Sequence, residues 1–184
     1  SKVMQKLLQF PSPFSGPLHT QLIYTDGASI TAADYGRICI ECEIAAVLKN
    51  DLLPRDQPYN ASDIAGAIDT IAPALEIVDD RHADYDRISD EVLTLIADNA
   101  WNAGIVRGRM IEDWKNLDLA DLQGTVYIND TLIDTGYGRD VLGHPFNALA
   151  WLSNKILEQN QIIQAGMTVM TGTMITTQFV KSGD

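Results

Sequence analysis

Apolar positions in this chain fall more often into short alternating or continuous runs than into helical stripes, which predicts a mostly β order of elements. Lys2 to Gln9 carries a helical stripe stopped by Pro11 and Pro13, and Phe10 to Pro17 is a turn-rich connector. Leu22 to Tyr24 predicts a strand, with Asp26-Gly27 as the turn behind it. Arg37 to Leu48 is apolar and β-branched, so it predicts a buried strand, and Asn50 to Tyr59 a polar loop. Asn60 or Ser62 is placed to cap a helix running to about Ile71. Pro73 to Val78 is the next apolar run, followed by a charged loop from Asp79 to Asp86. Ser89 then caps a helical stretch with Val92, Leu93, Leu95 and Ile96.

Ala103 to Val106 and Gly124 to Ile128 predict further strands, the second turning at Asn129-Asp130 into Leu132-Ile133. The clearest helix opens at His144-Pro145, with proline at its first position and Phe146, Leu149, Ala150, Leu152 and Ile156 along one stripe. Ala165-Gly166 turns into Met167 to Met170, and Ile175 to Val180 predicts a last strand. Strands and helices do not alternate strictly. The order therefore predicts an α+β roll or barrel-like sandwich with a few flanking helices, not a doubly wound sheet.

Composition narrows the class of protein. The 184 residues, 46% hydrophobic and 21% charged, suit one globular domain spanning residues 1–184. Lys+Arg is 13 against Asp+Glu 25, a formal net charge of −12. A surface that acidic repels phosphate backbones and anionic lipid, so neither nucleic acid nor membrane is an expected partner. No apolar run approaches the roughly 20 residues of a spanning helix. With two cysteines and no secretory leader pattern, a cytoplasmic protein is expected.

The chemistry concentrates in two apolar runs with embedded acids. Glu41 and Glu43 lie two apart, so strand period sets both carboxylates on one face, which Cys39, Ala45 and Val47 continue. Adjacent carboxylates among small and apolar neighbours are costly unless they share a cation; the alternative is an exposed or salt-bridged pair. Glu76 is embedded in the second run, and the alternative for it is pairing with Arg81 or another base. Three carboxylates from two strands would form an all-oxygen site suited to Mg²⁺ or Mn²⁺ rather than zinc.

Other motifs carry less. Cys39 and Cys42 spell C-x-x-C, but a spacing of three on a strand points the thiols to opposite faces, so they read as two core cysteines. Gly136-Tyr137-Gly138 matches no nucleotide-binding spacing. His144 reads as a helix cap and His82 as a loop residue. Asp98-Asn99 ends a helical run, and Gly172 in Thr171-Gly172-Thr173 marks a bulge or a close approach to a ligand.

In this order the pieces resemble the 2-keto-4-pentenoate hydratase group of the fumarylacetoacetate hydrolase superfamily. The matching stretches are Glu41-x-Glu43, Ala74 to Arg81, Ala97 to Ala100 with Ala103-Gly104, and Gly143 to Leu152. Ala165-Gly166, Thr171 to Thr173 and Gly183-Asp184 complete the set. The resemblance implies the fumarylacetoacetase C-terminal-domain fold and a Mg²⁺ or Mn²⁺ ion on Glu41, Glu43 and Glu76. It implies a 2-hydroxy-2,4-dienoate substrate, hydrated in its 2-oxo form to a 4-hydroxy-2-oxo acid in meta-cleavage aromatic catabolism. Thr171 and Gly172 would then lie near the substrate carboxylate or metal, with Asp79 and Asp98 as outer or proton-relay groups. A 4-oxalocrotonate-type decarboxylase and a non-catalytic oligomeric scaffold are the competing expectations. Homo-oligomers, and association with a sister enzyme, are also implied.

Two departures from the pattern stand out. The family's Gly-x-Lys-x-Gly segment would fall before Ser1, and Lys2 does not occupy its lysine's position; the closing strands beyond Asp184 are likewise expected to be missing. Thr94 stands where relatives carry an aspartate four residues before the Asp-Asn pair.

Overall fold

The computed structural model describes all 184 residues. Helix α1 (Lys2–Leu7) starts where the Ser1 hydroxyl accepts from the Met4 N–H. Strand β1 (Ile23–Thr25) precedes the long β2 (Ile38–Leu48). Helix α2 (Ala61–Ala67) opens on a reciprocal cap between Asn60 and Asp63. It ends four residues earlier than its apolar pattern predicts. From Ile68 the backbone is extended, and β3 (Ile68–Asp79) absorbs the Ile68–Ile71 segment. Pairing with β2 wins there, because Ile68 and Ile71 bury fully as strand residues.

Helix α3 (Val92–Ala97) has no side-chain cap, since Ser89 lies inside a preceding 3₁₀ turn, Ile88–Asp90. Strand β4 (Asn102–Arg107) follows, then the hairpin β5 (Gln123–Ile128) and β6 (Thr131–Tyr137). Its turn residues Asn129 and Asp130 both adopt positive φ, the backbone that suits a two-residue hairpin loop. Helix α4 (Pro145–Leu157) is capped by His144, whose Nδ1 accepts from the Phe146 N–H at 3.0 Å. Two short strands close the chain, β7 (Thr168–Met170) and β8 (Gln178–Phe179). The expected strand from Ile175 to Val180 shrinks to β8 because Ile175 turns into the core and Thr173 takes its N–H.

Six strands form one mixed sheet in the order β1-β4-β3-β2-β7, with β8 also pairing on β2; β5 and β6 form a separate ribbon. β1 runs parallel to β4, and the other pairings are antiparallel. Pro73 is tolerated in this central position because its partner Ile44 directs its own backbone groups to Thr171, while Gly108 donates to the Pro73 carbonyl. The even positions of β2, Ile44, Ala46 and Leu48, enter the main core with Ile64 of α2 and Phe146 and Leu149 of α4. Its odd positions face the other way. Leu8, Ile88 and Leu95 make a small second core on that side, tying α1 and α3 together. This is the α+β architecture the element order predicts, built on a curled sheet. No helix is long and apolar enough to cross a membrane.

Candidate metal centre

The odd face of β2 brings its acids to β3. Glu41 pairs directly with Glu76 in the antiparallel register, and Glu43 pairs with Ala74, one step along the same face. One carboxylate oxygen from each of Glu41, Glu43 and Glu76 lies within 4.8 Å of the others. Glu41 and Glu43 are buried and Glu76 is half-buried. All three line a cavity of about 960 Å³ that also reaches Tyr85, Trp151 and Thr171.

Each carboxylate is held from outside. The Thr177 hydroxyl donates to Glu41 Oε1 at 2.5 Å, the Gly172 N–H to Glu43 Oε2 at 2.7 Å, and Asn102 Nδ2 to Glu76 Oε1 at 2.7 Å. These bonds each engage one oxygen of an acid, and Glu43 and Glu76 are also hydrogen-bonded to each other. Burial, and then the nearby Glu76 charge, push Glu41 up to about 8. Burial and the charges of Glu76 and Glu41 likewise raise Glu43 well above the ordinary carboxylate range, and burial raises Glu76. No lysine or arginine side chain is ion-paired to any of the three. Clustered, buried and unpaired, they must take up protons or share a cation. The donor set is hard, all-oxygen and open on the cavity side, so it fits Mg²⁺ or Mn²⁺.

Thr171 and Gly172 are brought to the same place. Thr171 is buried with its hydroxyl near the Ile44 N–H (3.4 Å), and Gly172 reaches Glu43 from a left-handed backbone, φ +98°. A side chain at Gly172 would stand 3.2 Å from the Ser1 nitrogen, so the backbone here packs closely against the chain's first residue.

Asp79 and Asp98 are placed elsewhere. Neither lines the cavity. Asp79 accepts from the backbone N–H groups of Gly36, Arg37 and Arg81 at 3.0–3.2 Å. Burial alone would raise it, but these bonds together hold it below the usual carboxylate range. Asp98 pairs with Arg81 at 2.9 Å. Thr94 is exposed on α3. The acid that does anchor this region is Asp80, buried and paired with Arg37, and also bonded by Tyr85.

Sequence reasoning missed Asn102 and Thr177, the outer partners of Glu76 and Glu41. Neither stands in a motif, and only the β3–β4 pairing and the approach of the last residues to β2 bring them in. Asn102 Oδ1, with Asn99 Oδ1, is buried without a protein donor, and both residues line the cavity.

Residues 4–184 match the model of the fumarylacetoacetate (FAA) hydrolase C-terminal family, and the chain belongs to that family. Within it, the chain is 32% identical to the 2-oxo-hept-4-ene-1,7-dioate hydratase of Escherichia coli, over its whole length and 69% of that protein. It is 29% identical to the 4-oxalocrotonate decarboxylase of Pseudomonas putida, over 94% of this chain and 64% of that one. Among solved structures, the 4-oxalocrotonate decarboxylase from Pseudomonas putida G7, complexed with magnesium and adipate, superposes with a TM-score of 0.82. That pair is 28% identical, over 97% of this chain and 66% of the other. The same decarboxylase has also been solved with calcium and acetate. The chain thus spans about two thirds of the length of these relatives.

Proposed function

We propose that this chain carries the catalytic centre of a divalent-metal-dependent hydratase, adding water to a 2-hydroxy-2,4-dienoate to give a 4-hydroxy-2-oxo acid. The observation that carries the reading is the cluster of Glu41, Glu43 and Glu76, three converging carboxylates without a basic side-chain partner at the base of a cavity. The magnesium and calcium ions in the decarboxylase structures support a divalent ion there, with Mg²⁺ or Mn²⁺ the choice of this donor set.

A cation held by these three acids would supply a Lewis acid for the 2-oxo group and for negative charge on its oxygen. The protein's own residues do the rest. Thr177, Gly172 and Asn102 each hold one oxygen of the three acids, which fixes the carboxylates before ligand arrives. Thr171 and Gly172, which line the cavity, would lie near the substrate carboxylate or the metal. Asp79 and Asp98 act at one remove, as holders of the Arg81 loop beside the cavity.

A 4-oxalocrotonate-type decarboxylase is the second reading, favoured by the structural match to that enzyme. Both activities start from a 2-oxo acid in the same site, so the products separate them: a 4-hydroxy-2-oxo acid against released CO₂. We further propose that the protein works in the cytoplasm and self-associates; the exposed apolar residues Tyr127, Leu132 and Ile133 on the β5–β6 ribbon support contact with another copy.

The test is titration of Mn²⁺ with and without oxalate, a stand-in for the 2-oxo acid head. Metal binding that tightens with oxalate and is lost in Glu43→Gln is expected. Binding that survives this substitution would sink the metal site. No binding by the unaltered protein would favour a scaffold.

A further inference from the structure

One more charged group stands on the face that carries the three glutamates. Arg107 is the only lysine or arginine lining the cavity. It ends β4 opposite Ala74 of β3, and Ala74 is opposite Glu43 of β2. Paired residues project to the same side, so Arg107 and Glu43 share one face two strands apart, about 10 Å between backbones.

The Arg107 side chain runs across this face. Its Nη1 donates to the Thr168 hydroxyl at 3.2 Å, and Thr168 lies on β7, beyond both β3 and β2. The strands it crosses present Ala74, Ala72 and Ala45 there, small enough to leave room for a guanidinium above them. That neutral hydroxyl is its one side-chain partner, and it belongs to none of the five ion pairs. In a chain with 25 acids against 13 bases, an arginine turned into a cavity and paired with no acid is set to receive an anion from outside.

The cavity therefore carries one guanidinium as well as its three acids. We infer that Arg107 binds the distal carboxylate of a dicarboxylic 2-oxo acid and makes the site selective for dioic over monocarboxylic substrates. This assignment rests on the proposed metal site, which takes the 2-oxo acid head. Thr168 acts as the holder that keeps the guanidinium across the face until that carboxylate arrives.

Binding to the Mn²⁺-loaded protein, followed by calorimetry, tests it with 2-oxohexanedioate and 2-oxohexanoate, which share a head and differ at the far end. The diacid is expected to bind about 10- to 100-fold more tightly, the weight of a charge-assisted contact. Arg107→Gln should bring the two ligands level, and Arg107→Lys should keep part of the preference, since an ammonium lacks the planar fork. Oxalate has no distal carboxylate and reports the head site separately. Normal oxalate binding with no diacid preference, or a preference that survives Arg107→Gln, overturns the Arg107 assignment alone. If Arg107→Gln loses oxalate too, the terminal amide of 2-oxohexanedioate decides on the unaltered protein: retained tight binding overturns the assignment, and loss of the advantage supports it. Failure of the unaltered protein to bind oxalate with Mn²⁺ overturns the metal site and this assignment with it.

Discussion

Glu41 shows most directly what the site imposes on a side chain. Burial and the facing Glu76 hold it up to about 8, so without metal the folded chain keeps a proton that the unfolded chain has lost by pH 5–6. Where the native state binds more protons than the unfolded one, stability falls as pH rises. The metal-free protein is therefore expected to lose thermal stability between about pH 4.5 and 8. Glu41→Gln should flatten that slope, which thermal melts in a chelator across the pH series would show; an unchanged slope would mean that Glu41 is charged in the fold. Asn102 makes a second case. Its amide orients Glu76 at 2.7 Å, so Asn102→Leu is expected to weaken Mn²⁺ about 10- to 100-fold with little change in secondary structure. Equal affinity in the variant would mean that Glu76 needs no orienting partner.

Elements set where these residues stand. The Arg37–Asp80 pair joins the start of β2 to the residue just after β3, the two strands that carry all three glutamates. Asp80 is fully buried while Arg37 keeps contact with solvent. Removing the acid strands a charge but lets it reach water, so Asp80→Ala is expected to cost about 3 kcal/mol, the low end for a broken buried pair. Denaturant melts measure this, and a loss under 1 kcal/mol would show the pair to be incidental. At the opposite end of the sheet, Asn60 caps α2 with Asp63. Asn60→Ala should cost about 1 kcal/mol and leave Mn²⁺ affinity untouched, because the cap serves the far side of the core.

At the scale of the molecule, β2 is the hinge between two chemistries. Its even positions seal an apolar core with α2 and α4, and its odd positions carry carboxylates into the cavity. Both faces depend on one register, since a slip of one residue would exchange glutamates for isoleucine and cysteine. The period-2 reading predicts the common face of Glu41 and Glu43 within a buried strand, as the pairing with β3 has it. The prolines at 11 and 13, the Asn129-Asp130 turn and the His144-Pro145 start were equally legible, because caps and turns act within a few residues. The end of α2 was not. Ile68 to Ile71 suits a helix or a strand by pattern, and only a facing β2 makes the strand the better burial.

The same division holds for the site. Local order by itself determined which acids lie in apolar runs and which side of the strand they share, because side-chain alternation is a property of a single strand. Tertiary structure decided that Glu76 meets Glu41 and that Asn102 and Thr177 support them. It also turned Asp79 and Asp98 to the Arg81 loop and drew Arg107 across to Thr168. Those are choices of register and pairing between segments tens of residues apart, made by the burial of the whole sheet and not by any one stretch of sequence.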